Sequence, residues 1–422
     1  MAGSTRSTRS RGVRIGVIVV AMVVVAEGAV WLLGPDDPQI DAEHVSEAEY
    51  FNAAEVERAR DYHSGQRLLL LAGVGLQTVA LVTFALGRPR SARDVLDRLE
   101  ARPVLGGAAA GAGLSLAIAV VALPTDIWAH ERSVDVGLST QSIGPWLGDY
   151  VKASVVGAVL AAGGAALLLA LIRRTGRNWW LPGAAGVVGL SAIFSWLAPV
   201  VLAPLFNDFD PLPEESRARA EVLGLGERAG VDIGEVYSVD ASRRSTALNA
   251  YVGGLGPTKR VVLYDTLLDR AKTDELRSVV AHELGHVDHH DIPRGIAFVA
   301  LIAPLGLLFA REVSDGLNER SGAPSGSPAA LPAYALALGL ASFVLSVPGN
   351  QLSREVERSA DIFALELTDD PEGLIDLQKE LTVSNVSDPD PPSALTFLFG
   401  THPPAIERIG LAKAYEDTVP RN

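Results

Sequence analysis

Seven stretches of this chain are too long and too apolar to belong to the surface of a water-soluble protein. They run Val13–Leu33, Leu68–Leu86, Val104–Leu123, Val151–Ile172, Leu181–Leu205, Gly295–Ala310 and Ala330–Val347. A helical run of roughly 18 residues or more with few charges is long enough to span a bilayer. The chain is therefore predicted to be a mainly α, polytopic membrane protein of about seven transmembrane helices. The sixth run is the shortest, and Pro304 inside it predicts a kink. All six tryptophans (Trp31, Trp128, Trp146, Trp179, Trp180 and Trp196) fall in the first half, mostly at run ends, where an indole ring prefers the membrane–water boundary. Arg6, Arg9 and Arg11 precede the first run, and Arg14 stands at its start, as they would in a signal peptide. The run exceeds a signal core, however, and no small-x-small cleavage site follows Ala26, so it reads as a retained anchor.

Hydrophobic residues reach 48 % although the net charge is −14, with basic residues confined to a few loops. That pattern lacks the electrostatic footprint of a nucleic-acid binder. The absence of cysteine removes disulfides, thiolate catalysis and cysteine-type zinc sites together. A polar block from about Asn207 to Arg294 separates the fifth and sixth runs, and a polar tail follows from Asn350. Within the block, Glu235–Val239, Ala247–Val252 and Arg260–Tyr264 read as strands of a small sheet, the last two joined through a Gly253–Pro257 turn. SGAPSGSPA at Ser321–Ala329 reads as a flexible connector.

Thr273 is expected to cap a helix that carries Asp274 and Glu275 in its first turn. Leu276, Val280, Leu284 and Val287 recur at helical spacing, so VAHELGHVDHHD at Val280–Asp291 rides on an amphipathic helix. His282 and His286, one turn apart, project from one face and can reach one ion, while Glu283 sits beside any water bound there. Catalytic zinc needs a third protein ligand and an open position. SREVERSAD at Ser353–Asp361 supplies candidates: Glu357 as ligand, and Asp361, four residues on, to accept the free ring N–H of a ligand histidine. Glu355 competes with Glu357 but lacks an acid at i+4. Asp288, His289 and His290 read as a solvated helix end, and Arg408 as either a site organiser or an ordinary salt-bridge partner.

These motifs resemble the integral-membrane type I CAAX prenyl endopeptidases and their bacterial relatives. HELGH at His282–His286 and SREVERSAD carry the resemblance, which extends to LNAYVGGLGPTKRVVLYDTLL at Leu248–Leu268, THPPAIERI at Thr401–Ile409 and PLFNDFDPLP at Pro204–Pro213. It implies a ring of seven membrane helices around a wet chamber, capped by a zincin-like metalloprotease domain with a small β-sheet. It also implies one Zn2+ per chain held by His282, His286 and Glu357. His402 matches a family histidine that would stabilise the oxyanion, and Asn249, Ala250 and Tyr251 match a substrate-binding edge strand. The expected division is a membrane domain over 1–205 with five helices, and a zinc metallopeptidase domain over 206–422, interrupted by spans at about 295–310 and 330–347.

The expected chemistry is peptide hydrolysis, with Glu283 taking a proton from water and passing it to the leaving amine. Expected partners are the lipid bilayer and peptide or membrane-protein substrates, lipidated ones among them. The expected enzyme is similar to CAAX prenyl proteases; arginine-, alanine-, glycine- and valine-rich composition points to GC-rich bacterial coding, so the alternative is a membrane-protein quality-control protease with the same chemistry and no prenyl substrate. A transporter is disfavoured because the runs carry almost no ionisable residue beyond Glu27. An inactive zinc-binding scaffold is disfavoured by the intact Glu283. Arg6–Arg14, the arginines Arg88, Arg90, Arg93, Arg98 and Arg102, and Arg173, Arg174 and Arg177 alternate with acidic segments such as Asp36–Asp61. The positive-inside rule then sets the metal domain outside the cytoplasm. The resemblance implies the cytosolic face instead.

Overall fold

The computed structural model of the chain describes residues 2–36, 40–87, 95, 96, 98–254 and 259–418. Arg88, Arg90, Arg93 and residues 255–257 of the expected turn therefore lie outside the described residues. Among those described, seven helices are long and apolar enough to cross a membrane, and each expected run falls inside one. The helices are α1 (Ala2–Leu33), α2 (Glu47–Tyr50), α3 (Ala53–Val82), α4 (Pro103–Asp135), α5 (Ile143–Thr175), α6 (Trp180–Leu197), α7 (Arg217–Arg228), α8 (Asp265–Arg270), α9 (Thr273–Asp288), α10 (Asp291–Ser321), α11 (Leu331–Thr368), α12 (Pro371–Ser384), α13 (Ser393–Phe399) and α14 (Ala405–Thr418). Large apolar side chains such as Leu68, Leu70, Leu71 and Val74 stay exposed on the spanning helices, as expected of surfaces that face lipid rather than water.

The spans run past their apolar stretches. Asn52 caps α3 by accepting from Ala54 N at 2.9 Å, and Glu55 reaches back to the Asn52 N–H, so the helix starts well before Leu68. Residues 53–61 are thus helix, not the acidic loop expected. α10 continues through Pro304 as one helix. The Ser321–Ala329 connector is not loose: Ser327 and Ala330 are buried, and Ser325 Oγ lies 3.0 Å from the Tyr334 hydroxyl. Small residues let spans approach closely. A Cβ on Gly111 of α4 would lie 2.6 Å from Ala165 Cβ and 2.7 Å from Ala161 O of α5.

The polar block folds as a four-stranded sheet, β1 (Phe209–Pro211), β2 (Glu235–Val239), β3 (Ala250–Gly253) and β4 (Arg260–Tyr264), in the order β1-β2-β4-β3. β2 and β4 are parallel and the other pairs antiparallel, with Tyr251 opposite Val262. β3 begins later than the expected Ala247. The Asn385 side chain takes Leu248 out of the ladder, accepting from its N–H at 2.8 Å and donating to its carbonyl at 3.2 Å. One core unites the sheet with α9, the end of α11, α12 and α14 through Val261, Leu263, Val280, Leu284, Leu365 and Ile409. Val45, Phe51 and Val56 join that core from the segment after the first span, tying the membrane bundle to the polar domain.

Candidate metal centre

α9 does not begin on a threonine cap as expected; Thr273 is its first residue, and the Glu275 carboxylate accepts from the Lys272 N–H at 2.9 Å. Its apolar stripe, Leu276, Val280 and Leu284, is buried against the sheet and α12. α11 crosses it where Gly285 has no side chain: a Cβ there would meet Ala360 Cα at 3.1 Å and Phe363 Cβ at 3.2 Å. This close crossing brings Glu357, one helical turn before Asp361, up to the two histidines.

The two imidazoles and the Glu357 carboxylate converge, their candidate ligand atoms all within 4.8 Å of one another. His282 Nε2 lies 3.2 Å from His286 Nε2 and 3.2 Å from Glu357 Oε2, and His286 Nε2 lies 3.7 Å from Glu357 Oε1. Tetrahedral zinc bonds of about 2.0–2.1 Å separate neighbouring donors by roughly 3.3 Å, so these separations fit one such ion. Glu357 Oε2 is buried with no partner of hydrogen-bond geometry despite the nearby imidazole, the arrangement of two lone-pair donors that share a cation. No fourth His, Asp or Glu among the described residues joins the cluster. Glu355 is not part of it and hydrogen-bonds Gln351 instead.

Both imidazoles are oriented from behind. His282 Nδ1 is 2.9 Å from Asp361 Oδ1, and Arg408 donates to Asp361 at 2.7 Å through Nε and at 2.5 Å through its terminal nitrogen. His286 Nδ1 is 2.9 Å from Asp291 Oδ2, and Arg294 donates to the other Asp291 oxygen. Burial lowers the basicity of the His282 imidazole, but its bond to Asp361 and the Glu357 carboxylate outweigh this and push it up to about 9. Arg408 is likewise held above its usual value: burial opposes the charge, and Asp361 more than restores it.

Glu283 points into a cavity of about 610 Å³ that His282, His402, Asn249 and Arg408 also line. Burial raises the Glu283 carboxyl above its ordinary range, against the pull of both histidines and a backbone hydrogen bond from Val252 of β3. His402 is exposed to this cavity, with Nε2 3.3 Å from Glu357 Oε1 and Nδ1 2.9 Å from Thr401 Oγ1. β3 is an edge strand, and Asn249 just before it lines the cavity; the side chains of Ala250 and Tyr251 do not.

The solvated helix end holds for Asp288 and His290, which are exposed, but not for His289: its Nδ1 is 2.8 Å from Ser359 Oγ and its ring meets Phe363 edge-on at 5.5 Å. His290 adopts a left-handed φ of 57°, which ends α9 and starts α10 at Asp291. Residue reasoning missed Asp291 altogether, although an acid five residues beyond His286 was there to be noticed. It left Arg408 undecided between site organiser and salt-bridge partner, because nothing local links position 408 to 361.

A polytopic helical bundle capped by a small sheet and a His–His–Glu cluster with a buried acid beside it defines a membrane-embedded metallopeptidase. Comparison with known proteins takes this to a family. Residues 214–416 match the model of peptidase family M48, and residues 42–208 match the CAAX prenyl protease N-terminal model, described as having five membrane helices. Four of this chain's spans lie wholly within 42–208, and one precedes that segment. The metalloprotease YhfN of Bacillus subtilis is 32 % identical over 72 % of each chain. The probable CAAX prenyl protease 1 of Schizosaccharomyces pombe is 26 % identical over 90 % of this chain and 82 % of its own. The crystal structure of S. mikatae Ste24p superposes with a TM-score of 0.75, covering 94 % of this chain and 98 % of that one at 19 % identity, which shows a shared fold. The chain belongs to peptidase family M48: it is a multi-pass membrane metalloprotease.

Proposed function

We propose that His282, His286 and Glu357 hold one zinc ion per chain and that Glu283 is the general base of peptide hydrolysis. The convergence of two imidazole nitrogens 3.2 Å apart with one carboxylate, whose oxygens lie 3.2 Å from His282 Nε2 and 3.7 Å from His286 Nε2, carries this reading. Zinc bound there supplies Lewis acidity toward a scissile carbonyl and acidifies water. Asp361 and Asp291 keep the imidazole Nε2 lone pairs turned inward. Glu283, its proton affinity raised by burial, accepts the proton of the attacking water and delivers it to the leaving amine. His402 donates to the developing oxyanion from the exposed side of the cavity. The free edge at Asn249, Ala250 and Tyr251 pairs with an extended peptide, and the Val252 N–H keeps Glu283 beside that edge.

Peptides and membrane proteins, lipidated ones included, are the substrates this site serves; relatives bear the name CAAX prenyl protease. The division at 205/206 into a membrane domain and a metallopeptidase domain interrupted by two spans agrees with the two family-model matches. The metal domain faces away from the cytoplasm. α10 starts at Asp291 beside the donors and ends ~46 Å away, by its 31 residues at 1.5 Å each, where Glu319 pairs with Arg11 and Glu312 with Arg14 and Arg177. The basic loops thus gather at the end opposite the metal donors, and such loops stay in the cytoplasm. A carboxyl-terminal reporter active only outside the cytoplasm checks this: silence there places the domain inside.

Glu283→Gln tests the chemistry. The purified variant should retain one zinc per chain and lose peptidase activity, whereas turnover that survives the substitution would show Glu283 is not the base.

A further inference from the structure

Behind the donor cluster the two histidines are treated alike, each through a carboxylate braced by an arginine. His282 has Asp361 and Arg408, gathered from helices far apart in the chain. His286 has Asp291 and Arg294, which open the sixth spanning helix, α10. The left-handed residue His290 makes this local return possible, because it breaks α9 and sends the chain back so that Asp291 faces a ring five residues earlier.

We propose that Asp291 is a second positioning residue of the metal centre, and that Arg294 holds it there; this rests on His286 being a zinc ligand. By accepting the Nδ1–H of His286 at 2.9 Å, Asp291 selects the tautomer whose Nε2 lone pair meets that of His282 at 3.2 Å. Without it the ring of His286, whose side chain is 23 % exposed, would rotate and present either nitrogen to water. Asp361 is fully buried and Asp291 12 % exposed, so water substitutes more readily for Asp291. Loss of such a carboxylate weakens metal binding by about 10–100-fold, and Asp291 belongs near the lower figure. Because Asp291 and Arg294 lie in the first turn of a membrane helix, the ligand geometry is tied directly to how that helix sits in the bilayer.

Full-length protein in detergent, as parent, Asp291→Asn and Arg294→Gln, is titrated with zinc against a chromogenic chelator. The cobalt-loaded forms are compared by visible absorption. Asp291→Asn should bind zinc about tenfold more weakly and shift the cobalt band while leaving KM unchanged, with a smaller change of the same kind in Arg294→Gln. A purely structural role would not alter the metal's spectrum. Zinc affinity and a cobalt band both identical to the parent in Asp291→Asn overturn the proposal. If that variant does not accumulate folded, Arg294→Gln decides by the same two readouts. His286→Ala separates the premises: tight zinc binding that survives it refutes the ligand set itself, whereas its loss beside an unaffected Asp291→Asn refutes only the role of Asp291.

Discussion

Gly285→Ala sets two effects of known size against each other in the middle of HELGH. Replacing a helix-interior glycine with alanine stabilises a helix by about 1 kcal/mol. The new methyl would, however, stand 3.1 Å from Ala360 Cα, 3.2 Å from Phe363 Cβ and 3.3 Å from Phe363 Cδ1. Carbon atoms prefer separations of about 3.5–4.0 Å. Two of the three obstacles belong to, or adjoin, the α11 backbone and cannot rotate away, so α9 and α11 must separate by roughly 0.4–0.9 Å to restore ~3.5–4.0 Å contact. Overpacking of this kind costs about 1–3 kcal/mol, which leaves a net destabilisation of about 0–2 kcal/mol. The proposed zinc site is far less tolerant. His282 and His286 lie on one helix and Glu357 on the other, and zinc bond lengths tolerate only about 0.2 Å. We expect thermal unfolding in detergent, scanned at one rate, to shift by a few degrees only. Zinc affinity, measured by chelator competition, should fall at least about tenfold, and kcat by about 100-fold, as for a misplacement approaching 1 Å. A Gly285→Ala protein with parental zinc affinity and kcat would refute the idea that this crossing sets the ligand spacing.

Zinc affinity should climb with pH. His282 of the metal-free protein holds its proton up to about 9, so proton competition weakens zinc about tenfold for each pH unit below that, as equilibrium dialysis would show. The metal-free fold responds oppositely: a pKa raised above the ordinary 6.5 contributes stability in full below pH 6.5, and that contribution is lost as pH rises from 6.5 to 9. Asp361→Ala leaves Arg408 charged and nearly buried without its partner and should cost about 3–5 kcal/mol in chemical denaturation; removing both charges as Asp361→Leu with Arg408→Met should cost less, and equal losses would deny the coupling. His402→Phe should keep zinc stoichiometry and lower kcat about 100–1,000-fold with little change in KM, the mark of a donor used only in the transition state.

The features that could be read without coordinates were those written in local spacing. A span announces itself by some twenty apolar residues in a row, and His282, Glu283 and His286 by their positions on one helix, because helical geometry over a single turn is the same in any fold. Glu357 and Asp361 were readable as a pair for the same reason. What the spacing could not convey was how far spans extend into the polar domain, as α3 does to Asn52, since a partly buried helix end has no uniform apolar signature. His289 looked solvated because a polar residue after a helix usually is; only the approach of Ser359 and Phe363 shows otherwise.

The amino-acid pattern by itself thus determined the number of spans, the helix that bears two imidazoles and an acid, and the most plausible carboxylate to complete them. Tertiary structure alone decided that Arg408 braces Asp361 across 47 positions and that Asp291 folds back onto His286. It also decided that α11 passes close enough over Gly285 to bring Glu357 within 3.2 Å of His282. Periodicity specifies which way a side chain leaves its own helix. Which helix it then meets depends on the packing of the entire core, and no local run of residues records that.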